Sequence, residues 1–322
     1  MNKRGHPRDR EMKRMFNRRH LLASSAAALA ATALPAQAAE TIQMSTLAGL
    51  DYLAPLVARD AGLFGKQGLD VAVQIATQAP ALLPAVIGGA LQIGVSTGIQ
   101  VSIANEAGLD VVIIAGAGMI TRQDVTTAVV MRPDANLEKA ADFIGKKILT
   151  PGINGAFHTL FLRYLRLGGV EPQQVTFIEG GFAQMPDLLK SRQVDAVLSA
   201  EPFLTRMIDS GAGKRLNYFV PEKDYVFASF YIAKRSWVEA HKAEVEKFRT
   251  AMRDAVSLSK SEPTVLNDAV TKYLKLPPDV VKTLKPSEAR VDVRREDVQF
   301  WSDLALQFQM LRKPVDAATL ML

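Results

Sequence analysis

Two short turns carry the residue types best suited to chemistry. The first is Gly94-Val95-Ser96-Thr97-Gly98, which has the G-x-S-x-G spacing of a serine nucleophile lifted on a strand-to-helix turn. Such an elbow works only with a histidine base, an acid that orients it and donors for the oxyanion. The chain offers His158 and His241 downstream and no His-Gly-Gly segment upstream. His241 sits in the run His241-Lys242-Ala243-Glu244, which reads as a solvated helix face, while His158 opens a different helix. The serine has a motif without partners, so a serine hydrolase stands only as the alternative reading.

The second turn is Thr150-Pro151-Gly152-Ile153-Asn154-Gly155, with a helix expected from Ala156. A strand that ends in such a turn and runs straight into a helix leaves backbone N–H groups unpaired. Together with the positive end of the helix dipole they favour an anionic group. Asn154, Gly155, Ala156 and Phe157 are therefore candidate ligand contacts. Ser96 and Thr97 are ligand donors or plain helix caps, and His158 is a donor to an anion or a capping histidine. Glu201, in Ala200-Glu201-Pro202, accepts from a ligand amine or hydroxyl or serves as a structural acceptor. Tyr52 and Phe182 are candidate aromatic walls. These loops hold no clustered Arg/Lys pair, so a ligand's charge would be met by amides, hydroxyls and Arg122. That suits a sulfonate or carboxylate, including one on an aromatic body, better than a multiply charged phosphate. A neutral pyrimidine held by Glu201 is the alternative ligand.

The elements that position these turns alternate between strand and helix. Strands are expected at Ile42 to Ser45, Leu69 to Ile75, Leu91 to Val95 and Val111 to Ala115. Helices are expected at Tyr52 to Ala61, Ala81 to Ile87 and Gln100 to Ala107. The alternation predicts a parallel sheet with helices on both faces. Thr126 to Met131 reads as a strand leaving this first unit, and a second begins after Pro133. Its helix carries Phe157, Leu160, Phe161, Tyr164 and Leu165 on one stripe, stopped by Gly168-Gly169. A strand at Val175 to Ile178 and a helix at Met185 to Lys190 follow, then a short buried-type strand in the run Gln193 to Phe203; residues 185–201 echo residues 82–98, with Arg192 to Val197 paralleling Leu91 to Ser96. A return strand at Tyr225 to Ala233 precedes helices at Trp237 to Ser261, Val265 to Leu274 and Arg295 to Leu311. In such sheets ligands sit beyond the carboxyl ends of the strands, which is where both turns fall.

The first 38 residues read as a leader. Arg18-Arg19 precedes an apolar run of 14 residues, Leu21 to Leu34, and then Ala36-Gln37-Ala38, a small-x-small cleavage pattern. The run is short of the ~20 residues that span a bilayer. Asn17-Arg18-Arg19-His20-Leu21-Leu22 resembles a twin-arginine export signal, so cleavage after Ala38 and release into the periplasm are expected. Of 39 basic and 33 acidic residues, eight and two lie in this leader, which leaves 31 of each sign. A neutral mature chain argues against nucleic acid as a partner. There is no cysteine, and the four histidines are scattered, so no metal site and no cofactor are expected.

With these segments in place the chain resembles the substrate-binding components of ABC importers of the nitrate, taurine and aliphatic-sulfonate group, which includes binders of thiamine-pyrimidine precursors. The resemblance rests on Ala58-Arg59-Asp60-Ala61-Gly62-Leu63-Phe64, on Gly68-Leu69-Asp70-Val71, and on Gly89 with Ile93-Gly94. It continues through Leu137 with Asp142-Phe143-Ile144-Gly145-Lys146-Lys147, and Asp195-Ala196 with Glu201-Pro202-Phe203. Gln92 stands where an Asp is common, and Arg192-Gln193 replaces a Gly-x turn. A pyrimidine-synthase relative is set aside because its cysteine-rich signature is missing. The resemblance implies an α/β type II periplasmic-binding-protein fold: two doubly wound three-layer lobes joined by a two-segment hinge. Lobe one would comprise residues 39–131 plus 227–322, and lobe two residues 132–226, with crossings near Met131-Arg132-Pro133 and Val226-Phe227. It further implies a monomeric solute binder, not an enzyme, that closes on its ligand and delivers it to a permease driven by a separate ATPase.

Overall fold

The long apolar runs of the sequence become the central strands of two sheets. A computed structural model describes residues 40–76, 79–121, 126–218, 224–283 and 289–322. The leader with Arg18-Arg19 and Ala38, and the candidate cation Arg122, lie outside the described residues. The strands in chain order are β1 Ile42–Leu47, β2 Val71–Ala76, β3 Gly94–Ser96, β4 Val111–Gly116, β5 Met119–Thr121 and β6 Thr127–Met131. There follow β7 Lys147–Thr150, β8 Thr176–Glu179, β9 Ala196–Ala200, β10 Lys214–Leu216, β11 Tyr225–Phe227 and β12 Phe230–Lys234. The helices are α1 Ala54–Asp60, α2 Leu63–Lys66, α3 Leu82–Ile87, α4 Gly98–Glu106, α5 Ala156–Leu167 and α6 Met185–Lys190. The remaining helices are α7 Phe203–Asp209, α8 Arg235–Ala240, α9 Lys242–Ser261, α10 Pro263–Ala269, α11 Pro278–Thr283 and α12 Arg295–Gln307.

In the first sheet β1 pairs parallel with β2, and Met44 bridges to Ile93 beside β3, with Ser45 N donating to Ile93 O at 3.1 Å. Strand β12 runs antiparallel between β3 and β4. The order is therefore β2-β1-β3-β12-β4. The second sheet has the order β8-β7-β9-β6-β10, with β6 antiparallel to both of its neighbours. The two sheets follow one plan, four parallel strands with one reversed strand in the fourth place. Each reversed strand follows a crossing segment: β5 leads to β6 and β11 leads to β12. The two segments pair antiparallel, Met119 opposite Phe227.

This pairing places the strand expected to leave the first unit. Residues 127–131 are buried throughout and sit between β9 and β10, so they belong to the second sheet. A fully buried strand needs neighbours on both sides, and the first sheet fills that place with β12. The crossings lie at Met119–Thr121 and Tyr225–Phe227 instead of at Met131-Arg132-Pro133. The expected strand from Tyr225 to Ala233 is likewise two strands, because β11 pairs with β5 and β12 turns into the first sheet. The helix expected over Trp237 to Ser261 breaks at His241, whose φ of −128° is not helical.

Apolar clusters cover the sheet faces. Leu56, Val57, Phe248 and Met252 fill one face of the first sheet, beneath α1 and α9. Met185, Leu189, Leu204 and Met207 cover one face of the second. The largest cluster joins Phe161 of α5, Trp301 of α12, Phe227 of the second crossing and Phe230 of β12. Trp301 is fully buried, and its Nε1 donates to the Phe227 carbonyl at 2.7 Å, which ties α12 to the crossing. Replacing such a ring by Ala costs about 3–5 kcal/mol. Gly98 leaves room for it, since a Cβ there would lie 2.9 Å from Trp301 Cβ.

Candidate functional site

The turn after β3 is a well-made helix start. Thr97 is the N-cap of α4: its Oγ1 accepts from Gln100 N at 3.2 Å. Ser96 is buried at the end of β3, and its Oγ donates to Gln100 Oε1 at 3.0 Å. A carboxamide oxygen is no base, so the Ser96 proton goes to an acceptor that cannot activate it. Ser96 also lacks the positive φ of a strained nucleophile; among the described residues only Asn154, Arg192, Lys275 and Gln309 have one outside glycine. His241 stacks on Trp237 with ring centroids 4.9 Å apart, and its Nδ1 pairs with the Trp237 carbonyl. The elbow motif is thus a capping turn. Thr97 still has its hydroxyl proton to give, because a capping oxygen uses only a lone pair.

The turn after β7 leaves donors open. Asn154 takes φ of 59°, and Gly155 is an extended N-cap with φ of −85° and no side-chain cap. A Cβ on Gly155 would lie 2.9 Å from the Gly152 carbonyl oxygen, so the close turn requires glycine. Among the described residues the N–H groups of Ala156, Phe157 and His158 have no acceptor; the first paired amide is Thr159, which bonds to Gly155 O at 3.0 Å. Glu179, ending β8, accepts from Ile153 N at 2.9 Å and holds the loop down. Ala156 is buried, while Phe157 is half-buried with its edge toward Phe182 at 6.2 Å. Phe182 in turn stacks on Phe203 at 5.4 Å.

His158 is 6% exposed and meets Phe177 edge-on at 4.6 Å. Its Nδ1 accepts from Asn154 N at 3.2 Å, which leaves the proton on Nε2. Burial pushes its pKa down to about 4, so at neutral pH the ring is an uncharged donor.

Two of the sequence candidates are anchored elsewhere. Glu201 uses both carboxylate oxygens on Thr205, accepting from its N at 3.2 Å and its Oγ1 at 2.7 Å, which caps the first turn of α7. Tyr52 accepts from Thr46 Oγ1 through its carbonyl at 3.0 Å. Its hydroxyl is pushed up to about 12, chiefly by burial and then by the Asp51 carboxylate, against a hydrogen bond with Ser229. Asn154 and His158 are joined directly, as are Ser96, Thr97 and Gln100. Among the described residues no hydrogen bond or ring contact joins the two turns.

Sequence reasoning missed Arg166, Phe308 and Met310, which share a cleft with Asn154 and His158. The spacing of His158, Leu162 and Arg166 was the available signal, since i, i+4 and i+8 fall on one helix face. Among the described residues no cluster of His, Asp and Glu is placed to hold a metal ion, and no helix is long and apolar enough to cross a membrane.

Residues 51–265 match the model of the family described as NMT1/THI5 like. No curated protein sequence matches the chain. Among solved structures it is similar to the alkanesulfonate-binding protein SsuA from Xanthomonas axonopodis pv. citri bound to MOPS, at 19% identity and a TM-score of 0.72 over 88% of this chain and 98% of that one. It is similar to the periplasmic nitrate-binding protein NrtA from Synechocystis PCC 6803 at 16% identity and a TM-score of 0.70, over 87% and 84% of the two chains. A Candida albicans protein, CA3427, described as having the generic periplasmic binding protein fold, aligns at 11% identity with a TM-score of 0.69, over 88% and 96%. With the paired five-stranded sheets, these matches show that the chain belongs to the NMT1/THI5-like family and has the periplasmic-binding-protein fold.

Proposed function

We propose that this protein is the periplasmic solute-binding component of an ABC importer, and that it captures a small organic anion, a sulfonate or carboxylate. One lobe is built on each sheet, and the lobes close about the two crossing segments. A twin-arginine leader cleaved after Ala38 delivers the chain, which works as a monomer and hands its ligand to a permease with its ATPase.

The observation that carries the ligand class is the open start of α5. Three successive N–H groups, from Ala156 to His158, have no acceptor among the described residues. The hydroxyl of Thr97 at the start of α4, on the other sheet, accepts from Gln100 N and keeps its proton to donate. Donors of this kind suit a singly charged oxyanion with spread charge. A pyrimidine held by Glu201 stays the alternative ligand, since each carboxylate oxygen keeps a lone pair beyond its bond to Thr205. A thermal-shift panel of sulfonates, carboxylates, nitrate and pyrimidines tests the reading. At 100 times its dissociation constant a true ligand stabilises by about 2.7 kcal/mol. Stabilisation by a sulfonate or carboxylate supports the proposal; stabilisation by pyrimidines alone would refute it.

A further inference from the structure

A cleft of about 420 Å³ runs along one side of α5, within the roughly 300–1,000 Å³ of small-molecule pockets. Its α5 wall is His158, Leu162 and Arg166, which stretch about 12 Å along the helix. Phe177 of β8 closes it on the second-sheet side, and Phe308 and Met310, just past α12, form the opposite wall. Asn154, from the loop that leads into the free N–H groups, lines it as well.

The polar groups of the cleft are unevenly used. His158 keeps Nε2–H free after Nδ1 is taken by Asn154. Arg166 lies over the Phe308 ring at 4.9 Å and reaches Glu171 Oε2 at 3.1 Å and the Gln307 carbonyl at 3.4 Å, while its buried Nε has no partner. Glu171 offsets the charge of Arg166 and the imidazole is neutral, so the cleft carries no net charge with which to meet a second anionic group. Its aromatic and aliphatic walls suit a flat apolar body.

Resting on the function proposed above, we infer that this cleft takes the body of the solute. The solute is then a monoanion on an uncharged aromatic or similarly bulky frame, with its oxyanion at the start of α5 and its ring between Leu162, Phe177 and Met310. Inorganic anions and one-carbon sulfonates fill only the first part of such a site. Because the walls come from α5 and from the segment after α12, the body is gripped by parts of both sheets' layers.

Calorimetric titration of the purified protein with methanesulfonate, benzenesulfonate and naphthalene-2-sulfonate tests this. Naphthalene-2-sulfonate should bind at least about ten-fold more tightly than methanesulfonate, given the apolar area it buries. Met310→Trp, which fills the cleft, should shrink that ratio to about two-fold or less; Leu162→Phe on the facing wall does the same if the first variant fails to fold. Equal affinity for the three sulfonates in the wild type overturns the inference while leaving the anion reading intact. So does a preference that survives both variants and is lost in Phe182→Ala, which would place the ring on the Phe157–Phe182–Phe203 side. Silence with all three, methanesulfonate included, overturns the inference and the sulfonate reading together.

Discussion

His158 shows how burial sets the role of one residue. A histidine at the start of a helix was equally a cap or a donor on sequence grounds. In the structure Nδ1 accepts from Asn154 N, which leaves the proton on Nε2. The pH dependence follows from its pKa near 4, well below the ordinary 6.5. Between pH 6.5 and about 4 the unfolded chain takes up a proton that the native ring refuses. Stability therefore falls with acidification through that window, by at most about 3.4 kcal/mol from this group. Thermal melts of the wild type and His158→Gln from pH 7 to pH 4 should show the variant losing less stability over that range; parallel losses would contradict the assigned burial. Glu201 and Ser96 teach the converse. Their types were chemically suggestive, yet Glu201 accepts from Thr205 and Ser96 donates to Gln100, and neither partner could be named from spacing alone.

Among the elements, what the sequence pattern conveyed well was local. The turn Thr150 to Gly155, the start of α5 at Ala156 and the bounds of α6 at Met185 and Lys190 all follow from Gly, Asn and Pro placement. Strand partnership was not legible, because a wholly apolar run such as residues 127–131 reads the same in either sheet. The first crossing was displaced for the same reason. The packing of the two crossings yields a prediction of its own. Gly116 ends β4 just before the first crossing, and a Cβ there would lie 2.2 Å from Phe227 Cε1 and 2.4 Å from the Arg290 carbonyl oxygen. Gly116→Ala should destabilise by about 1–3 kcal/mol through overpacking. By contrast, Gly181→Ala, with nothing within 4 Å of its new Cβ and no positive φ, should melt close to the wild type. A chemical-denaturation midpoint for each measures the difference; equal midpoints would mean that the two crossings are not packed as described.

For the whole molecule, the binding account joins a repeated sheet plan to a single open helix start. The repeat was faintly visible in the sequence, where Leu91 to Ser96 parallels Arg192 to Val197, and it becomes plain only in strand order. The open helix start proposed as the anion cradle was legible because glycine and asparagine mark the turn, whereas the cleft beside it was not, since Met310 and Arg166 lie far apart in sequence and line one cleft only through the packing of α12. The decisive test acts on the cradle. Ala156 is the first residue of α5, and Gly155 before it is extended at φ −85° and ψ 177°, the conformation a proline's predecessor adopts. Ala156→Pro therefore removes one of the three open N–H groups with little demand on the backbone. Isothermal titration of a sulfonate that stabilises the wild type should show one saturable site, weakened in the folded variant by about ten-fold or more, as expected for a charge-assisted hydrogen bond of 1–3 kcal/mol. Unchanged affinity in a folded Ala156→Pro protein would contradict the account, because the anion would then not rest on the start of α5.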